Sequence, residues 1–144
     1  MATKSSGMSL IELLVVVAIL GIISSVGIVS YSGYVSGSKK KSVENILQQI
    51  SLGQTEFYSE DGAYFENTSA STPCTPSKDG KNSDEIEEDL LGEADVITKE
   101  LGYEFCVGGD NASPATDYRV VAQETDGTCN ISMDSRGTIT RTGC

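Results

Sequence analysis

The stretch Gly7-Met-Ser-Leu-Ile-Glu-Leu-Leu-Val-Val-Val-Ala-Ile-Leu-Gly-Ile-Ile23 decides the fold of this chain. Glu12 stands at the head of its apolar run and is the only charged residue between Met8 and Ser38. A carboxylate at the rim of a membrane-length helix is costly to bury, so it usually marks a function and implies a partner. The polar leader Met1-Ala-Thr-Lys-Ser-Ser-Gly7 precedes it. We therefore expect the leader to be removed and the apolar helix to remain.

The apolar segment covers residues 8–29, which is 22 residues and long enough to cross a bilayer once. An ordinary secretory signal has its apolar stretch before the cleavage site. Here the apolar stretch follows the expected cut between Gly7 and Met8, so it stays with the mature chain. The sequence thus predicts a single membrane span at the new N-terminus.

The helix continues beyond the span as an amphipathic segment. Apolar residues recur at helical spacing, with Gln54 on the same face, and predict one buried stripe: Val43, Ile46, Leu47, Ile50 and Phe57. Asp61-Gly62 supplies a stop signal. We predict one helix over residues 8–59, weakened in its middle by Gly21, Gly27, Gly33 and Gly37.

Residues 60–144 form the predicted globular head. A loop rich in Ser, Thr, Pro and Asn is expected from Asn67 to Asp84, followed by a short acidic helix. Four short runs rich in β-branched and aromatic residues then predict an antiparallel meander of three or four strands: Tyr103–Val107, Tyr118–Gln123, Cys129–Met133 and Thr138–Arg141. The predicted fold class is α+β, with a long N-terminal helix packed on a small antiparallel sheet.

Composition narrows the function. The net charge of −11 disfavours nucleic-acid binding by the average surface. The chain has no His, so it lacks the commonest general base and metal ligand, and we expect no enzyme. Lys39-Lys40-Lys41 is interpreted as a solvated face, with lipid head groups or an acidic neighbouring subunit as alternative partners.

No cofactor or metal is predicted. Asp79, Asn82, Asp84 and Glu85 supply oxygen ligands that calcium prefers, but their positions do not fit the EF-hand spacing. The four cysteines are widely spaced and match no zinc signature. Their even number after an export-like segment predicts two disulfides formed in an oxidising compartment, with the pairing left open by spacing alone. The four are Cys74, Cys106, Cys129 and Cys144.

Residues Gly7 to Ile23 closely resemble the class III signal of type IV pilins and type II secretion pseudopilins. Leader, cut site, glutamate and apolar run all fall at the family's spacing. Two departures are visible. Met8 stands where the family most often has Phe, and Val29 stands where many members have a helix-kinking Pro.

The resemblance implies that a membrane prepilin peptidase cuts after Gly7 and methylates the new amine of Met8. Glu12 takes the position of the family's acidic residue, whose carboxylate could pair with the Met8 amine in the same or the next subunit. For the disulfides we favour Cys74–Cys106 and Cys129–Cys144. The second resembles the variable disulfide loop of many pilins.

The resemblance also implies a life cycle: an inner-membrane precursor, then assembly by the pilus machinery into a helical homopolymer on the cell surface. Our preferred interpretation is a major, type IVa-like pilin, with adhesion, motility or DNA uptake as filament-level outcomes. The nearest alternative is a pseudopilin or minor pilin. Outside this superfamily, the first alternative is a binding module anchored by a single membrane span. A membrane-anchored enzyme is the weakest candidate.

Overall fold

A computed structural model describes residues 7–68, 74–92, 95–109 and 116–144. Outside the described residues lie residues 1–6 of the leader, residues 69–73 of the loop predicted from Asn67 to Asp84, and the short segments 93–94 and 110–115. The chain divides into two compact units between Ser38 and Lys39. The sequence placed the start of the head at residue 60. The second unit begins earlier because the C-terminal half of the first helix contributes its stripe to the core of that unit.

Helix α1 runs from Leu10 to Asp61, close to the predicted helix over residues 8–59. Its end follows from the Asp61-Gly62 signal. Gly62 has φ 74°, a left-handed conformation that suits glycine, and its N–H donates to the carbonyl of Tyr58 at 2.9 Å. The four internal glycines do not interrupt the helix.

The predicted stripe on the second half of α1 is confirmed. Val43, Leu47 and Ile50 are fully buried, Ile46 is nearly so, and Phe57 packs against the core at partial burial.

Gln54 is also fully buried on this face. Its side-chain amide donates to the Phe65 carbonyl at 3.0 Å and accepts from the Phe65 N–H at 2.9 Å. These two bonds satisfy the polar side chain inside the core and fix the turn that leaves the helix.

The short acidic helix begins before its predicted start. Helix α2 spans Lys81–Leu90, whereas the loop was expected to reach Asp84. The residue before it, Gly80, has a left-handed conformation with φ 82° and makes no side-chain cap. The sequence therefore contains no N-cap signal for the start of α2. A short 3-10 helix over Lys99–Leu101, also unpredicted, then leads into the sheet.

The four predicted strands form one antiparallel sheet in the order β1-β2-β3-β4. Their bounds shift by a residue or so from prediction: β1 Tyr103–Gly108, β2 Arg119–Glu124, β3 Asn130–Asp134 and β4 Ile139–Thr142. The register pairs Phe105 with Ala122, and Ala122 with Ile131. These inward-facing residues close the core over the α1 stripe, giving a pilin-like α+β fold.

Candidate processing and assembly site

Helix α1 begins with half of a capping box. Gly7, Met8 and Ser9 are not helical, and the Ser9 N–H donates to Glu12 Oε2 at 2.9 Å. The Ser9 carbonyl accepts the N–H of Leu13 at 3.2 Å. Ser9 is therefore the N-cap residue and Glu12 the third helical residue, and the carboxylate satisfies a backbone donor that a helix start leaves open.

This geometry brings the two predicted assembly residues to one end of the helix. Glu12 is the acidic residue of the first turn, where a negative charge also favours the helix dipole. Cleavage after Gly7 would free the backbone nitrogen of Met8. Met8 directly precedes Ser9, whose N–H already donates a hydrogen bond to the Glu12 carboxylate. The Ser-x-x-Glu pattern of Ser9 and Glu12 is the sequence signal of this cap.

The first half of α1 exposes a continuous apolar surface. Leu10 is 81% exposed and Ile28 is 73% exposed, and none of the most apolar window of the helix is buried within the described structure. By length and composition this is the one described helix able to cross a membrane. Lipid or other protein must cover so much apolar surface in water.

A second charged cluster ties the other half of α1 to the sheet. Glu44 Oε1 accepts from the Nε of Arg141 on β4 at 2.7 Å and also pairs with its Nη2, while Lys41 Nζ lies 3.0 Å from Glu44 Oε2. Burial raises the pKa of Glu44 and is the largest single cause. The hydrogen bonds and charges of Lys41 and Arg141 together outweigh it, so the pKa lies below its ordinary value.

The lysine run is only partly the solvated face that we predicted. Lys39 Nζ donates to the Glu100 carbonyl at 2.8 Å, and Lys40 Nζ donates to the Cys144 carbonyl at 3.3 Å. With Lys41 bound to Glu44, all three ammonium groups have partners inside the second unit. Lys39 and Lys40 reach carbonyl oxygens far along the chain, which a charge run in a sequence does not reveal, whereas Lys41 pairs locally with Glu44.

Two of the four residues considered for calcium, Asp79 and Asn82, have other partners. Asp79 Oδ1 accepts from the Lys81 N–H at 3.3 Å, and Asn82 Oδ1 accepts from the Ser77 N–H at 2.9 Å. Asn82 also exchanges amide hydrogen bonds with Asn67. Among the residues that the structure describes, no three metal-ligating side chains are grouped to hold an ion. These oxygens instead shape the turn that precedes α2.

Four further pKa shifts have local causes. Burial raises the pKa values of Tyr103, Tyr118 and Glu66, because each loses solvation of its charged form. The nearby Ser77 hydroxyl is the largest cause, and the Lys81 backbone N–H the next, that together lower the pKa of Asp79. Each shift follows from the packing around the group concerned.

The head contains disulfides Cys74–Cys106 and Cys129–Cys144, which are the pairs favoured above. The first closes a separation of 32 residues and ties the loop between α1 and α2 to β1. The second closes 15 and ties residue 144 back to the start of β3. Cross-links of this length typically contribute about 2–4 kcal/mol, which matters for a small sheet domain.

Comparison with known proteins identifies a family motif in the N-terminal segment. Residues 2–28 match the family model described as the prokaryotic N-terminal methylation motif. No curated protein matches the chain.

The described residues form a pilin-like α+β fold, and residues 2–28 carry a known N-terminal signal. More particularly, the chain carries the class III signal of type IV pilins and pseudopilins, which supports a precursor of one of these subunits. The signal implies processing by a prepilin peptidase and use by pilus or secretion assembly machinery. The apolar helix fits an inner-membrane precursor.

Proposed function

We propose that this chain is a major or major-like type IV pilin. The prepilin peptidase cuts after Gly7, the new amine of Met8 is methylated, and residues 8–29 hold the subunit in the inner membrane. Subunits then leave the membrane and polymerise into a pilus. The observation that carries this proposal is the uncovered apolar half of α1, headed by a capped glutamate within a class III signal.

Polymerisation supplies the cover that this surface needs outside the membrane. A head-to-tail contact that does not close on itself generates a helical filament. In such a filament the apolar halves of α1 form the core, and the sheet domains form the outer surface. Neighbouring subunits in the filament then cover the apolar surface of α1 that lipid covered in the membrane.

Glu12 sets the register of this assembly. Its carboxylate accepts one backbone N–H within the chain, and an ionised carboxylate can accept further hydrogen bonds. Burying it in the filament core is costly without a cation. The Met8 amine, of the same or a neighbouring subunit, offsets that cost. The chain thus needs processing at Gly7 before its acidic group finds a counter-charge.

A pseudopilin or minor pilin is the second candidate, because the same signal serves both kinds of subunit. The two disulfides lean towards a pilin, and adhesion, motility or DNA uptake would be properties of the filament as a whole. A single-span anchored module that never assembles is the candidate from another class. It needs neither the cut at Gly7 nor a partner for Glu12.

Abundance in sheared surface filaments tests the proposal. A major pilin dominates that fraction, a minor pilin or pseudopilin is scarce in it, and an anchored module stays with the membranes. The informative variant is Gly7→Leu, which places a side chain at the scissile bond. Its matched control is Thr3→Leu, the same new side chain within the leader but away from the cut. We expect filaments from the control and none from Gly7→Leu, and filaments from both would contradict the proposal.

A further inference from the structure

We propose that Tyr31 and Tyr34 anchor helix α1 in the lipid head-group region at the C-terminal end of its membrane span. The two rings would fix the depth and rotation of the helix before assembly. This inference rests on the membrane stage of the proposed function, and it is independent of polymerisation.

The spacing along α1 matches a bilayer. Tyr31 follows Glu12 by 19 positions, and a rise of 1.5 Å per residue separates them by about 28 Å. The hydrocarbon core of a bilayer is about 30 Å thick. When the Glu12 carboxylate lies at one interface, Tyr31 therefore reaches the other.

The serine hydroxyls between Glu12 and Tyr31 and the two tyrosine hydroxyls differ in their hydrogen bonding. Ser24 Oγ donates to the Leu20 carbonyl and Ser25 Oγ donates to the Ile22 carbonyl, each at 2.7 Å. Both serines are thus satisfied by their own helix and can face lipid. The structure shows no such bond for the Tyr31 or Tyr34 hydroxyl among the described residues, so each is left to find water or a lipid head group.

The rings themselves suit an interface. Tyr31 is 69% exposed and Tyr34 is 75% exposed, and three positions apart they lie on the same side of the helix. A tyrosine ring has an apolar body and a polar tip, which is why Tyr is enriched where hydrocarbon meets water. The next charged residue is Lys39, so these rings are the first large amphipathic groups beyond the span. Because both lie on one side, they also bias the direction in which the helix tilts.

Depth measurement by tryptophan fluorescence tests the anchor directly. The natural chain contains no Trp, so each single substitution is its own reporter. Full-length protein would be placed in phosphatidylcholine–phosphatidylglycerol vesicles whose lipids carry bromine either near the carbonyl or near the chain end. The variants are Tyr31→Trp and Tyr34→Trp, with Ile22→Trp as the mid-span control and Leu52→Trp as the aqueous control.

We expect shallow bromine to quench the Tyr31→Trp and Tyr34→Trp variants more than deep bromine does. The Ile22→Trp variant should show the reverse, and Leu52→Trp, at an exposed position of the second unit, should respond to neither. Tyrosine-position reporters that behave like Ile22→Trp, or like Leu52→Trp, would overturn the anchor. The first result would place the rings in hydrocarbon, and the second would place them in water or against protein.

A second experiment removes the anchor. Replacing both tyrosines by Ala in the Ile22→Trp background should shift the balance between shallow and deep quenching, whereas replacing both by Phe should shift it less. An unchanged balance in the double Ala variant would overturn the anchoring role. Absence of filaments in the host, with this quenching pattern intact, counts against polymerisation alone. An Ile22→Trp variant that neither lipid quenches overturns the membrane stage and the anchor with it.

Discussion

The Glu44 carboxylate on α1 accepts a hydrogen bond from the Arg141 guanidinium on β4, which lies 97 positions later in the chain. The Glu44 side chain is only 11% exposed, and the Arg141 side chain is 46% exposed. The pair joins the helix to the last strand of the sheet. It is a charge-assisted link between the two layers of the head.

Breaking this pair should destabilise the head. Glu44→Gln removes the negative charge while keeping a similar shape, leaving Arg141 and Lys41 without their shared carboxylate. We expect the free energy of unfolding to fall by about 1–2 kcal/mol, since charge-assisted hydrogen bonds are stronger than neutral ones but Arg141 is half exposed. Urea unfolding of full-length protein in detergent micelles measures this. Glu56→Gln, at an exposed position on α1, is the matched control, and an equal loss in both variants would contradict the assignment.

The same pair predicts a pH dependence. The folded pKa of Glu44 lies below its ordinary value of 4.5, so its contribution to stability is present above that value and is lost as the pH falls through the folded pKa. The difference in unfolding free energy between wild type and Glu44→Gln should therefore be full at neutral pH and shrink below about pH 4.5. Unfolding at a series of pH values checks this. A difference that grows in acid has the wrong sign for our interpretation.

Gly53 should not tolerate a side chain. A Cβ at this position would lie 2.5 Å from the carbonyl oxygen of Leu90, at the end of α2. Alanine gains about 1 kcal/mol of helix propensity over glycine, but overpacking of this kind typically costs about 1–3 kcal/mol. We expect Gly53→Ala to lower the stability of the head.

Gly37→Ala is the matched control for that experiment, because no atom of the described residues lies within 4 Å of a Cβ there. Thermal unfolding of the two variants should separate them, with the transition of the head unchanged in Gly37→Ala. A stabilised Gly53→Ala would show that α1 and α2 do not approach so closely.

The Glu12 site combines a cap and a charge, and two variants separate them. Glu12→Ala removes both, while Glu12→Gln keeps an oxygen that can accept the Ser9 N–H but carries no charge. If the carboxylate pairs with the Met8 amine during assembly, both variants insert into the membrane and both fail to form filaments. Membrane fractionation and electron microscopy of sheared material measure the two steps. Normal filaments from Glu12→Gln would reduce the role of Glu12 to helix capping.

Local patterns predicted most of the fold. The spacing from Val43 to Ile50 predicted the buried face of α1. The runs of β-branched and aromatic residues around Phe105 and Ile131 predicted strands of nearly the observed length. Such patterns work because each element must bury one side, whatever its partner is.

Features that depend on distant residues were not predictable in this way. Nothing near Glu44 in the sequence indicates Arg141, and Lys39 and Lys40 find carbonyl partners only after the sheet has folded. The start of α2 was misplaced because Gly80 adopts a left-handed conformation in place of a side-chain cap. Each of these contacts is decided by tertiary packing, which overrides local preference.

The mass of the protein recovered from sheared surface filaments tests the central claim most directly. Intact and N-terminal mass analysis should find a chain that begins at Met8 and carries one added methyl group. The apolar first half of α1, without the leader, would then pack against neighbouring subunits in the filament. Surface filaments built from chains that still carry residues 1–7 would contradict the claim that processing precedes assembly.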